Sequence, residues 1–247
     1  MDGHWIEEQA LAFRQLSDLA AGRQQVMLYN AFRGVPIIHE APILAVSSGF
    51  TILQVHPHQA ACMILERCTH LRGNNLMEIY QASPVAVDML HNEVVLTHLT
   101  PAGDGFGKRI NLRVQSKEVV RVQIYTDEGA VMANMADISV NGVGIFTFGA
   151  TLHEPIQMKR GRAVEMDLDL PTFSAPLRLH GKVLNIHHED AAPLRRMGIQ
   201  TLPSPEALVQ LMDYINQRES EILEELQMTC DAMKKARTRP HYFPPSD

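Results

Sequence analysis

Apolar residues recur at helical spacing near the two ends of the chain and alternate with polar ones through most of the interior. Ile6, Ala10, Phe13, Leu16, Leu19 and Ala20 fall three and four residues apart. That spacing predicts an amphipathic packing helix over residues 6–29, ended by Gly22 or, after an irregular continuation, by Gly34. From Val35 to Leu99 the pattern changes to short strands. Ile43–Val46 and Phe50–Val55 flank a Ser47-Ser48-Gly49 turn, and Val85–Leu90 and Glu93–Thr97 flank His91-Asn92, which reads as a two-residue hairpin turn. Ala60–Leu65 fits strand or helix equally well. Short strands at this spacing predict a small split β-barrel.

Residues 101–108, PAGDGFGK, interrupt the pattern with glycines and a proline, and mark a domain boundary. Beyond it, Val120, Val122 and Ile124 alternate with polar residues. Asp127-Glu128-Gly129 supplies a turn, Ala130–Ile138 and Val143–Phe148 read as strands, and Val164, Met166, Leu168 and Leu170 give the cleanest period of two. Leu177–Val183 and Met197–Gln200 complete a second antiparallel barrel. Ser204-Pro205-Glu206 then opens a long helix: a hydroxyl cap, a proline at the first helical position and an acid at the positive dipole end. The expected fold class is mainly β, with two small antiparallel barrels and helices at both ends. The expected domains are a helix plus split barrel over 1–103, a glycine-rich linker over 104–108, a second barrel over 109–203, a helix over 204–235 and a basic, Pro-rich tail over 236–247, read as disordered.

Composition narrows the function. Lys plus Arg is 22 and Asp plus Glu is 28 among 247 residues, a net charge of −6. That excludes generic nucleic-acid or anionic-membrane binding, but not a small anion held by a local basic cluster. Three cysteines build no disulfide framework. With an acidic N-terminus in place of a basic signal-peptide flank and no membrane-spanning apolar run, a cytoplasmic location is expected.

The chemistry concentrates after the glycine linker. Arg109 and Arg113 form R-x-x-x-R, a pattern of which about one copy arises by chance at this composition. Asp137, Ser139 and Gly142 form D-x-S-x-x-G, for which the chance number is about 0.03. From Lys108 to Arg121 the chain holds Lys108, Arg109, Arg113, Lys117 and Arg121 against Glu118 alone. Such a basic cluster inside an acidic protein suits an anionic ligand. Taken singly, Arg109 and Arg113 fit a solvated strand edge, and Asn141-Gly142 fits a hairpin turn braced by Asp137 and Ser139.

The two motifs in this order, between strands, resemble the PilZ domain, a family of bacterial cyclic di-GMP receptors, over roughly residues 105–203. The layout of split barrel, linker, barrel and C-terminal helix resembles the YcgR-type flagellar brake proteins. The resemblance implies that Arg109 and Arg113 grip the ligand and that Asp137, Ser139 and Gly142 contact it from the barrel. Lys108 stands where many members carry another arginine. A lysine neither forks nor stacks as arginine does, which bears on whether one or two ligands bind. The expected binding set is Lys108, Arg109, Arg113, Asp137, Ser139, Asn141 and Gly142. The chemistry agrees: arginine forks onto phosphate or guanine O6 and N7, Asp137 suits the guanine N1–H and N2–H₂ donors, and Gly142 is expected to turn the chain with positive φ.

The expected function is a non-enzymatic receptor that rearranges its two domains on binding cyclic di-GMP. By family resemblance it would regulate a protein partner such as the flagellar motor, with motility or biofilm output. No cofactor and no metal are assigned, and an oligomer is compatible with this reading. The rival is an enzyme, either a flavin-dependent oxidoreductase on the split barrel or a histidine-based metallohydrolase. His56 and His58, and separately His187-His188-Glu189-Asp190, are candidate ligand clusters without a third ligand at a recognised spacing. Cys62 and Cys68 read as buried apolar residues, and Asp167 and Asp169 as a solvated strand face.

Overall fold

The N-terminal helical stripe forms α1 (Gly3–Ala21) in a computed structural model of the chain, which describes residues 3–74, 76, 78–103, 111–148, 158–188, 194–236 and 239–243. The helix stops at Gly22, whose N–H donates to Asp18 O at 3.0 Å. Arg23 follows at φ 52, with its N–H on Ala20 O at 3.0 Å. The expected continuation to residue 29 is wrong: Gln25–Phe32 is a strand, β1. Val26, Leu28 and Asn30 are buried while Met27 and Tyr29 are half-exposed, a period of two that the preceding helical stripe obscured.

β2 (Val35–Val46), β3 (Thr51–Gln54), α2 (Pro57–Glu66), β4 (Thr69–Arg72), β5 (Tyr80–Asp88) and β6 (Glu93–Pro101) follow. The undecided segment Ala60–Leu65 is helical. Pro57 opens α2, the His56 ring caps it by accepting from His58 N–H at 3.2 Å, and Gln59–Ile64 are all buried. The strands run in the order β4-β1-β2-β3-β6-β5 and close because β5 pairs with both β4 and β6. The turn between β5 and β6 has four residues, Met89–Asn92, rather than two. Asp88 Oδ1 accepts from Leu90 N–H at 2.8 Å and His91 N–H at 3.1 Å, and Asn92 takes φ 55.

The second barrel is β7 (Arg121–Thr126), β8 (Gly129–Ser139), β9 (Gly142–Phe148), β10 (Ala163–Leu168), β11 (Leu177–His188) and β12 (Leu194–Leu202), closed in the order β10-β11-β12-β9-β8-β7. Its interior is apolar: Val122, Ile124, Ile138, Ile145, Met166, Leu168, Leu179 and Ile199 are at most 2% exposed. Each such burial contributes about 1.5–3 kcal/mol. Asp167 does not sit idle on a solvated face. Arg178 clamps it with Nε and Nη2, both at 2.8 Å.

α3 (Pro205–Ala236) starts at the proline, with Ala207 N–H on Ser204 Oγ at 3.2 Å. Part of the tail expected to be disordered forms a strand. β13 (His241–Tyr242) pairs with β5 at Val87 and Ala86. β4 covers β5 only from Tyr80 to Ala82, so this stretch of edge is open to a further strand. The chain divides into two compact units, one of residues 1–32, 36–109 and 222–247 and another of 33–35 and 110–221. Among the described residues no helix is long and apolar enough to cross a membrane.

Candidate functional site: an arginine pair on one carboxylate

The site is built on the outer face of the second barrel, where a β-bulge resets the alternation of β8. Val131, Ala133 and Met135 face the core, and Ile138 is the next residue to do so. The register shift lies between Met135 and Asp137. The extra residue turns Asp137 and Ser139 outward, as bulges near functional sites do.

Segment 111–115 is tied to this strand by one bridge. Val114 N–H donates to Ile138 O at 2.9 Å and Ile138 N–H to Val114 O at 3.0 Å. Arg113, one residue before the bridge, thereby reaches Asp137. Its Nη1 lies 2.8 Å from Oδ1. Arg196 of β12 approaches the same carboxylate from the other side, with Nη2 2.6 Å from Oδ2. β9 separates β8 from β12 in the barrel, and Asp137 pairs in register with Gly144 of β9. A Cβ on Gly144 would stand 2.8 and 2.9 Å from the two carboxylate oxygens, so only glycine leaves them room. The Arg196 guanidinium also stands over the Phe146 ring, 5.6 Å from its centroid.

The Asp137 side chain is 8% exposed, against 34% for Arg113 and 46% for Arg196. The carboxylate is therefore covered and both guanidinium groups face solvent. One negative charge between two positive ones leaves the spot net positive. Asp137 fixes the direction of two forks whose remaining N–H groups point elsewhere.

Ser139 is wholly buried, and its hydroxyl lies 3.2 Å from both Asn141 Oδ1 and Gly142 O. It braces the turn. That turn is Val140-Asn141, and Gly142 opens β9 opposite Ser139. The expected positive φ at Gly142 is absent, since the glycines with positive φ among the described residues are Gly34, Gly129 and Gly161. A Cβ at Gly142 would meet Ile199 O at a tight 3.2 Å and Arg113 Nη2 at 3.8 Å, an ordinary van der Waals distance.

Of the expected binding set, Arg113, Asp137, Ser139, Asn141 and Gly142 come together, while Lys108 and Arg109 lie outside the described residues. Glu189 and Asp190 of the second histidine cluster do too. Sequence reasoning passed over Arg196 and Gly144. The tandem Arg195-Arg196 ahead of a strand was the one visible signal, and nothing in the sequence tied it to Asp137.

Residues 108–217 match the family model described as PilZ domain. No curated protein matches the chain. Among solved structures, the Bacillus subtilis inhibitor of motility MotI/DgrA is similar at 12% identity over 81% of this chain and 97% of that one, with a TM-score of 0.39. Escherichia coli YcgR in complex with c-di-GMP is similar at 14% identity over 89% and 94%, with a TM-score of 0.40. The MrkH–c-di-GMP complex of K. pneumonia is similar at 14% identity over 93% and 96%, with a TM-score of 0.36. Arg113, Asp137 and Arg196 all fall inside the matched stretch, and the chain carries a PilZ domain over residues 108–217.

Proposed function

We propose that this protein is a cyclic di-GMP receptor and that it acts by binding rather than by catalysis. The observation that carries the reading is the pair of solvent-facing arginines, Arg113 and Arg196, aimed by one buried carboxylate within the PilZ stretch. Cyclic di-GMP presents two phosphates and two guanines. An arginine meets phosphate with parallel N–H donors, guanine with a fork onto O6 and N7, and a base face by stacking. Holding the arginines in place beforehand lowers the entropy that binding must overcome.

In this reading Asp137 acts through the arginines more than through its own contact with guanine, because both its oxygens are already bridged. Ser139, Asn141 and Gly142 shape the turn beneath the ligand. Lys108 and Arg109 add charge from the preceding segment. Since that segment also joins the two barrels in sequence, ordering it on the ligand would change the interdomain arrangement. The new arrangement would be read by a protein partner, with motility or biofilm output by family resemblance.

Calorimetric titration with cyclic di-GMP tests the core of the proposal and gives its stoichiometry, one molecule or two. Saturable binding that Arg109→Ala and Arg113→Ala each weaken supports it, and no heat with folded protein refutes it. Hydrogen exchange over residues 101–116 tests the switch: exchange slows there on adding ligand if the segment is ordered, and small-angle scattering then reports a changed arrangement.

A further inference from the structure

In the first unit, His39 of β2 meets two histidines distant from it in sequence, His56 at the N-cap of α2 and His58 in its first turn. One ring nitrogen from each lies within 4.8 Å of the other two. The His39 and His56 rings stack with centroids 3.9 Å apart and planes 17° off parallel, and His58 meets His56 edge-on at 4.8 Å. Among the described residues none of the three pairs with a carboxylate. Burial, and then His58, holds His39 below its usual pKa. Burial, His39, His58 and Lys234 push His56 down to about 4.

The surroundings of His58 are those of a held ligand. Its Nε2 lies 2.8 Å from Gln227 Oε1, and Gln227 Nε2 donates to Asp231 Oδ1 at 3.1 Å. The second contact fixes which way the amide points, so its oxygen accepts from His58 Nε2–H. Nδ1 is then left with a free lone pair, and the ring is locked in the way outer partners lock metal-binding histidines.

We propose that His39, His56 and His58 form a three-histidine site for a divalent first-row cation of the zinc, nickel or copper type, with water completing the coordination. His56 is exposed and the other two half-buried, so the ion has an open side. Binding draws the nitrogens together to the roughly 3.3 Å separation of a tetrahedral set with bonds of about 2.0–2.1 Å. The site shares no residue with the arginine pair, so it stands or falls apart from cyclic di-GMP binding.

The test is calorimetry of the full chain, first stripped with a chelator, against zinc ion. One equivalent should bind saturably. His39→Gln and His58→Gln should each weaken that binding by tenfold or more, Gln227→Ala by about tenfold, and His91→Gln not at all. Cobalt ion gives a second reading on the unaltered chain, since an intense visible d–d spectrum reports a tetrahedral nitrogen-rich site. Absence of saturable zinc uptake, or equal uptake by His39→Gln, His58→Gln and the unaltered protein, overturns the proposal.

Discussion

The Asp137 carboxylate fills the space that a side chain on Gly144 would need, for a Cβ there would stand 2.8 and 2.9 Å from its oxygens. The two residues are register partners across β8 and β9, so neither can withdraw without distorting the ladder. Asp137 is a short side chain with one arginine on each oxygen. Gly144→Ala must therefore open at least one bridge. The expected result is tenfold or greater loss of cyclic di-GMP affinity in a barrel that still folds, at a stability cost of about 1–3 kcal/mol. Calorimetry and circular dichroism on the same sample check it. Unaltered affinity would mean that the aim of the arginines does not matter.

Arg113→Ala and Arg196→Ala should each remove charge-assisted contacts worth about 1–3 kcal/mol, or tenfold and more in affinity. Asp137→Ala distinguishes two roles for the carboxylate. If it works by aiming the arginines, its effect overlaps theirs, and a double-mutant cycle with Arg113→Ala shows a coupling of roughly 0.5–3 kcal/mol. Additive losses would instead make Asp137 an independent contact to the ligand. The fold should tolerate Asp137→Ala, because both guanidinium groups are exposed enough to be rehydrated, and each single arginine variant still leaves the carboxylate one arginine partner.

Much of this architecture was legible because local signals agreed. Val164, Met166 and Leu168 alternate and are buried as their period requires, and Ser204-Pro205 opens α3 where the cap pattern puts it. Reading failed where a feature depended on the fold as a whole. Gln25–Phe32 became a strand because β4 lies beside it. The bulge at Asp137 has no marker in the sequence. Arg196 joins Asp137 only because β9 lies between their strands. Gly144 makes room for Asp137 across the ladder rather than bending the chain, a demand set by the strand pairing and its bulge. His39 likewise joins His56 and His58 only in the folded chain.

Acid stability offers a check on the barrel's own electrostatics. Asp167 is held below the usual carboxylate range mainly by the Arg178 bridge, against burial and with help from the Tyr125 hydroxyl at 3.1 Å. A depressed carboxylate pKa stabilises the folded state above the unfolded value, about 3.9. That stability is lost as pH falls through the lower folded value. Asp167→Asn should therefore be less stable than the unaltered protein in urea at neutral pH, and the gap should close in acid. The gap is expected to be small, because Arg178 is largely exposed. A gap that widened in acid would contradict the bridge.

Base selectivity separates capture of phosphate from reading of guanine. If Arg113 and Arg196 touched phosphates alone, cyclic di-AMP would serve as well as cyclic di-GMP, since the two share the same sugar–phosphate ring. Guanine presents acceptors at O6 and N7, which an arginine fork matches with two donors. Adenine presents a donor at N6, which arginine has no acceptor to meet. The wrong base then costs a mismatched polar contact in a partly desolvated site, about 1–3 kcal/mol for each fork. Competition calorimetry should find cyclic di-AMP weaker by tenfold if one arginine reads a base, and by a hundredfold or more if both do. The same comparison in Arg196→Ala assigns the reading. Selectivity that persists without Arg196 belongs to Arg113 or to the residues before it, while selectivity that collapses belongs to Arg196 itself. Equal affinity for both dinucleotides in the unaltered protein would leave the arginine pair as a phosphate clamp only.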